Sequence, residues 1–484
     1  MSAQGSNDLV QRASVIPSKA GKAQGVNATS PYPPSAGFYD EALDPEGEPR
    51  EAGGAGLPLL GDDLSALSAR VRDTVGDRGV NFRSTGGAAE FRVCPVPRVF
   101  GAEEWAALEA GLAQRVRALD AFVADVYGPR HAVAEGVVPE RVIATSEGLE
   151  PAMHGVRPPG GTWVGIAGLD LVRDAAGELL VLEDNLRTPS GFGYAVEARR
   201  AILAALDVPA EQMPRSLAGL PELLRDTLRA AAPDGAEDPY MVLLTDGPDN
   251  SAAFEHAWAA EQLGIALVEP HELELRGDVL RHGGRAVDVV YRRTDADTVD
   301  TRVGHMLVPP LRAGTLGLVN AFGTGVADDK LAHAYVEDLV RFHLGEEPLL
   351  HSVPTLDLCV PEQLEQALDE LETLVVKPRL GHGGHGVIVC PHAEPEDVER
   401  VRARLIAEPQ EYVAQPTIEI SLHPTVIGGD LQPRHVDLRP FVFLRGEGKA
   451  AVMPGGLTRV AFGEGAMVVN STQNGGAKDT WVLA

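Results

Sequence analysis

Apolar and polar residues alternate through 162–191, TWVGIAGLDLVRDAAGELLVLEDNLRTPSG. A period of two predicts two strands folded back at a turn over 174–177. Pairing Asp174 with Gly177 sets Asp170 opposite Val181 and diagonal to Glu183. Asp170, Glu183 and Asn185 then share one face, and Asp184 takes the other. Elsewhere the period lengthens. EEWAALEAGLAQRVRALDAFVADVYG, 103–128, repeats its apolar positions every three or four residues and predicts a long amphipathic helix or helix pair, and 194–206 and 217–232 read as helices too.

From about residue 239 the pattern turns to strand (YMVLLTDG), helix (SAAFEHAWAAEQLG) and strand (IALVEP), which predicts a right-handed crossover and a parallel sheet. The turn TDGPDN, 245–250, would lie at that sheet's carboxyl edge. Such edges hold ligands in many α/β folds, although a plain strand-to-helix turn capped by Asn250 or Ser251 is the commoner case. VDVVYRRTDAD adds a strand ending in Arg292 and Arg293. GTGVADDK, 323–330, leads into the helix LAHAYVEDLVRFHLG, and LVVKPRLGHGGHGVIVC reads as strand, loop and strand. Four segments follow: a mobile, disordered tail over 1–56, rich in Ser, Gly, Pro, Ala and Glu; a helical region with the hairpin over 57–238; an α/β unit over 239–322; and a last unit over 323–484.

Composition narrows the partners. The 484 residues carry 42 Lys and Arg against 70 Asp and Glu, a formal charge of −28, which argues against nucleic acid or an anionic membrane as a partner and favours amine-bearing ones. No apolar run approaches a membrane span and the first residues lack a secretory core, so a cytoplasmic protein is expected. Cys94, Cys359 and Cys390 are far apart and read as packing residues. The oligomeric state is open.

Against that acidic background the hairpin face gains meaning. Three oxygen donors, Asp170, Glu183 and Asn185, suit Mg²⁺, which takes one or two carboxylates and fills its octahedron with water and phosphate oxygens; a solvated strand end is the plainer alternative. A second cluster could supply the phosphate partner. Lys377 ends a strand and Gly381, Gly383, Gly384 and Gly386 follow, so backbone amides can close on phosphate oxygens beside a lysine charge. This is not a Walker A loop, since it joins two strands. His382 and His385 read as lid residues. Gln415 ends the short strand YVAQP, whose backbone could read an adenine edge. Asp437 and Arg439 share a face of HVDLRPFVFL, where they can contact metal-bound phosphate or an acyl intermediate, and Lys478, near the C-terminus, joins the candidate nucleotide-binding residues; a structural ion pair and an exposed cap are the plainer readings of these. No serine sits in a GxSxG elbow.

In this order the motifs QRVRALDAFVADVYG, AGLDLVRD, LEDNLRTPSGFGY, SAAFEH, VYRRTDAD, GTGVADDK, VVKPRLGHGGHG, YVAQPT, PRHVDLRPF, PGGLTR and NGGAKDTW resemble the circularly permuted ATP-grasp proteins of type 2, which are similar to the ligase half of glutathionylspermidine synthetase. The resemblance implies an α/β fold with α+β lobes, a permuted ATP-grasp carrying a Rossmann-like parallel-sheet subdomain. It assigns Asp170, Glu183 and Asn185 to Mg²⁺, Lys330 and Lys377 to ATP phosphates, and Gln415 to the adenine region, with Arg187 and Arg439 as candidates for stabilising a transferred phosphoryl group. The implied activity joins a carboxylate to an amine, on small molecules or peptides, through an acyl phosphate. A non-catalytic nucleotide-binding protein and a small-molecule kinase are the rival readings. Cys94 stands where relatives often carry an acidic residue before Pro-Xaa-Pro-Arg, so that segment is left out of the catalytic set.

Overall fold

The computed structural model describes residues 32, 37–84, 87–295, 298–379, 386–446, 448–463 and 475–484. Its centre is a seven-stranded sheet. Val93–Phe100, Gly475–Val482, Ala450–Ala461, Asp430–Leu444, Ile166–Arg173 and Leu179–Asn185 lie side by side in that order, with Leu422–Ile427 also pairing to Asp430–Leu444. Only the first pair is parallel. The hairpin and the C-terminal strands, far apart in sequence, are therefore neighbours in space.

One face of this sheet is covered by the helix Ala102–Val126, a single 25-residue element whose buried stripe runs through Trp105, Leu108, Leu112, Val116, Leu119 and Phe122. The other face is covered by Phe192–Ala205 and by Leu64–Asp77. A second sheet is wholly parallel, in the order Gly317–Val319, Val289–Arg293, Met241–Thr245, Ala266–Val268. Its crossover helix, Ala253–Leu263, ends at Gly264, where φ of 64° closes the helix in the left-handed region that glycine tolerates. A third sheet of four short strands contains Leu374–Pro378 and Tyr412–Pro416, paired antiparallel. This is the mixed α/β architecture with a Rossmann-like parallel-sheet subdomain that the motifs imply.

The hairpin register differs by one residue from expectation. Gly177 takes φ of 89°, and the loop closes between Asp174 N–H and the Glu178 carbonyl at 3.0 Å, with Gly177 N–H donating to the Asp174 carbonyl at 3.1 Å inside it. A three-residue loop with its last residue left-handed is the usual reason. Leu171 thus pairs with Val181, and a bulge at Leu182 then sets Asp170 directly opposite Glu183.

The expected tail needs correction. Residues 1–31 and 33–36 lie outside the described residues, but Asp40, Glu41, Ala42 and Leu43 are buried. Polar composition hid an anchor: Glu41 accepts both arms of the Arg98 guanidinium at 2.6 Å and lies 3.3 Å from Arg173. Burial pushes the Glu41 carboxyl up, yet Arg98 and Arg173 outweigh it and hold it at about 2, below its ordinary 4.5. A depressed folded pKa stabilises above pH ~4.5 and ceases to do so as pH falls toward 2. Glu41→Gln is therefore expected to cost roughly 3 kcal/mol at pH 7 and to flatten the stability profile between those limits. Urea unfolding across a pH series measures both; an unchanged profile would refute the anchor.

Candidate functional site

The hairpin, the parallel sheet and the small antiparallel sheet enclose one cavity of about 1210 Å³. Asp170, Glu183, Asn185, Arg187, Lys330, Lys377, Gln415, Asp437 and Arg439 all line it. Nine of the expected site residues thus converge from distant parts of the chain. At the small sheet the wall is apolar: Val353, Val375, Val389, Ile418 and Ile420 flank Gln415, whose amide donates to Thr355 Oγ1 at 2.8 Å. Lys330 and Lys377 also line the cavity, the latter nine-tenths buried. Burial pulls the Lys377 ammonium below its usual pKa; Glu183 works against this and Lys330 adds to it. The cavity also gathers Arg187, Arg292, Arg439 and Arg459, interleaved with carboxylates such as Asp170, Glu183 and Asp437, so donors to phosphate oxygens stand beside oxygen donors for a cation.

Strand alternation separates Glu183 from its neighbour. Asp184 turns to the opposite face, where it accepts both arms of Arg115 at 2.7 Å and lies 2.8 Å from His333 Nδ1. The Asp184 carboxyl is held well below the ordinary range: burial raises it, but Arg115 and His333 prevail. Asp170 does face the cavity, yet it is engaged. Arg439 binds it with two bonds of 2.6 and 2.7 Å, and Arg459 reaches it at 2.9 Å while also pairing with Asp437. Burial raises the Asp170 carboxyl and the two guanidiniums bring it down to about 2. Among the described residues, no group of three or more His, Cys, Asp and Glu is arranged to hold a metal.

The loop after the hairpin is pinned from two sides. Asp328 accepts from Leu186 N–H and, at 2.7 Å, from Arg187 Nε. Buried Glu255, on the crossover helix, accepts from Gly191 N–H at 2.8 Å and Gly193 N–H at 2.9 Å, while its partner Arg293 donates to Ser190 Oγ at 2.8 Å. The Rossmann-like unit therefore fixes the segment that carries Arg187.

Residues 97–461 match the family described as Circularly permuted ATP-grasp type 2. The chain belongs to that family. A Synechocystis protein of unassigned function is 40% identical over 467 residues, 92% of this chain and 97% of its own length. A Frankia casuarinae protein named "Putative glutamate–cysteine ligase 2-2" is 44% identical over 468 residues, covering 92% of this chain; the chain spans 53% of that longer relative. A solved glutathione synthetase-like effector from Globodera pallida superposes with a TM-score of 0.58 over 88% of this chain and 99% of its own, at 12% identity, a likeness of fold.

One expectation for this ATP-grasp chain falls elsewhere. Lys478 is not at the cavity: it is fully buried between strands, its Nζ 3.0 Å from Cys94 Sγ and 2.8 Å from the Pro424 carbonyl. The strand Gly475–Val482 is buried on both faces, so its lysine faces inward instead of capping an exposed end. Gly381, Gly383 and Gly384 lie outside the described residues, as do His382 and His385. Gly386 turns the chain back at φ 75°, where a Cβ would sit 2.8 Å from Pro378 Cγ. The sequence reading also passed over Arg459, the last residue of PGGLTR, although its strand position opposite Asp437 makes it the link between the two aspartates. No helix among the described residues is long and apolar enough to cross a membrane.

Proposed function

We propose that this chain is an ATP- and Mg²⁺-dependent carboxylate–amine ligase that works through an acyl phosphate and releases ADP and phosphate. The observation that supports it best is the set of groups gathered on one cavity: Gln415 with apolar side chains, Lys330 and Lys377, Glu183 and Asn185, and the arginines. That set suits adenine, phosphates, a metal and a transferred phosphoryl group. The names of the Frankia relatives also favour a ligase.

Glu183 and Asn185 would hold the metal. They are oxygen donors on the cavity face, and Asn185 Nδ2 is a buried atom without a partner among the described residues, so either end of that amide can turn inward. Asp170 joins them only if Arg439 releases it. Magnesium, when bound, neutralises charge on the phosphate oxygens. Lys330 and Lys377 would hold those oxygens, and Arg187 and Arg439 would stabilise the phosphoryl group as the substrate carboxylate attacks it. That attack expels ADP as the acyl phosphate forms; the amine then attacks the acyl carbonyl, phosphate departs, and the nitrogen gives up a proton to leave the amide. The pinning of 186–193 by Asp328 and Glu255 keeps Arg187 placed without further reorganisation.

The test is product analysis with Mg-ATP and pools of amino acids, short peptides and polyamines. ADP and phosphate are expected only when both a carboxylate and an amine are present. AMP with pyrophosphate rules the mechanism out, a stable phosphorylated product points to a kinase, and nucleotide binding without turnover points to a non-catalytic binder.

A further inference from the structure

Beside the main cavity lies a small, partly open chamber of about 10 Å³, lined among others by Glu183, Asp328, Lys330, His333, Lys377 and Gln415. That is about the space of one water molecule, which persists in a protein when it has two to four polar partners. All of these lining groups but His333 also face the main cavity. His333 has no part in the site described so far.

Its surroundings fix its chemistry. The residue is 4% exposed, and its Nδ1 lies 2.8 Å from Asp184 Oδ2 and 3.2 Å from an Arg115 nitrogen. Asp184 is ionised and only accepts, whereas Arg115 only donates; the shorter contact assigns the Nδ1 proton to the bond with Asp184. In the neutral ring Nε2 is then an acceptor, and it is a buried atom with no partner among the described residues. A buried acceptor left unpaired is costly. The chamber offers a remedy: a water there can donate to Nε2 and to the Glu183 carboxylate and accept from the Lys377 ammonium.

We propose that His333 is a positioning residue for the phosphate lysine: through one buried water it ties Lys377 to the Arg115–Asp184 pair, and so to the rigid helix Ala102–Val126. The relay runs Arg115, Asp184, His333, water, Lys377. Every link beyond the water is anchored in the core, so the ammonium is held in place before nucleotide arrives. This rests on the reading of Lys377 as a phosphate ligand.

Two measurements decide it. A high-resolution crystal structure of the wild-type protein should show an ordered water within hydrogen-bond distance of both His333 Nε2 and Lys377 Nζ; a chamber without it overturns the relay whatever the nucleotide does. Calorimetric binding of Mg-ATP and steady-state kinetics then compare His333→Phe, which keeps a ring but no acceptor, with His333→Gln, which restores one. His333→Phe should weaken Mg-ATP binding and raise its KM about tenfold with kcat within about twofold, and His333→Gln should recover most of that loss, both at wild-type Tm. Equal loss of Tm in both variants with unchanged KM marks a merely structural histidine and overturns the inference. If the wild type itself binds no Mg-ATP, the nucleotide reading is what fails, and the inference falls with it; if the wild type binds and the variants match it, only the inference fails.

Discussion

Glu183→Gln is expected to lower ADP release by about 10²- to 10³-fold or more while leaving the fold intact. The side chain lines the cavity and is only partly buried, directly opposite Asp170 in the hairpin register. Its carboxylate is the anionic donor on that face not already held by a guanidinium pair of the kind that engages Asp170 and Asp437. Replacing it with an amide of the same shape removes one charge and no packing, so stability should stay within about 0.5 kcal/mol. Turnover of Mg-ATP with both substrates, read beside urea unfolding of the same preparation, separates the two effects. Activity within threefold of wild type would show that the metal and phosphate reading of this face is mistaken.

That Glu183 and Asp184 part company was legible in the chain, because strand alternation is a property of local geometry. The register was not. It turned on a left-handed Gly177 and a bulge at Leu182, and neither alters the pattern of apolar positions that sequence reading relies on. Lys478 was misread for a related reason: a strand covered on both faces carries no alternation to say which way a lysine points. Glu41 sits in a stretch whose Gly, Pro and Glu content reads as tail, and its burial depends on Arg98 and Arg173, residues that no local pattern brings to it. Arg115 could have been found. It falls three residues after Leu112 and four before Leu119, on the apolar stripe of its helix, where a charge must have a buried partner. The motifs LEDNLRTPSG and GTGVADDK both carry the family resemblance, but the contact that joins them, Asp328 bonded to both Leu186 and Arg187, shows only in three dimensions.

Asp184→Leu should do the reverse of Glu183→Gln one residue away, destabilising the protein by up to about 5 kcal/mol. Arg115 and Asp184 are both nearly inaccessible, with side-chain exposures of 2% and 1%, and Asp184 also holds the His333 ring. Removing the carboxylate strands a guanidinium inside the core, and the cost is chiefly that of the charge left behind. Breaking one side of a buried pair is far more damaging than replacing both sides with apolar groups, so the double variant Arg115→Met, Asp184→Leu should recover most of the loss. Urea unfolding of the two single variants and the double variant closes the cycle, and a coupling of several kcal/mol is expected. If the losses simply add, the pair contributes nothing as a pair, and the rigid base assigned to the hairpin's inner face must be sought elsewhere. If they couple as expected, one strand carries two charges with separate tasks: Asp184 ties the hairpin to the core helix, which lets Glu183 present its carboxylate to the cavity from a fixed position.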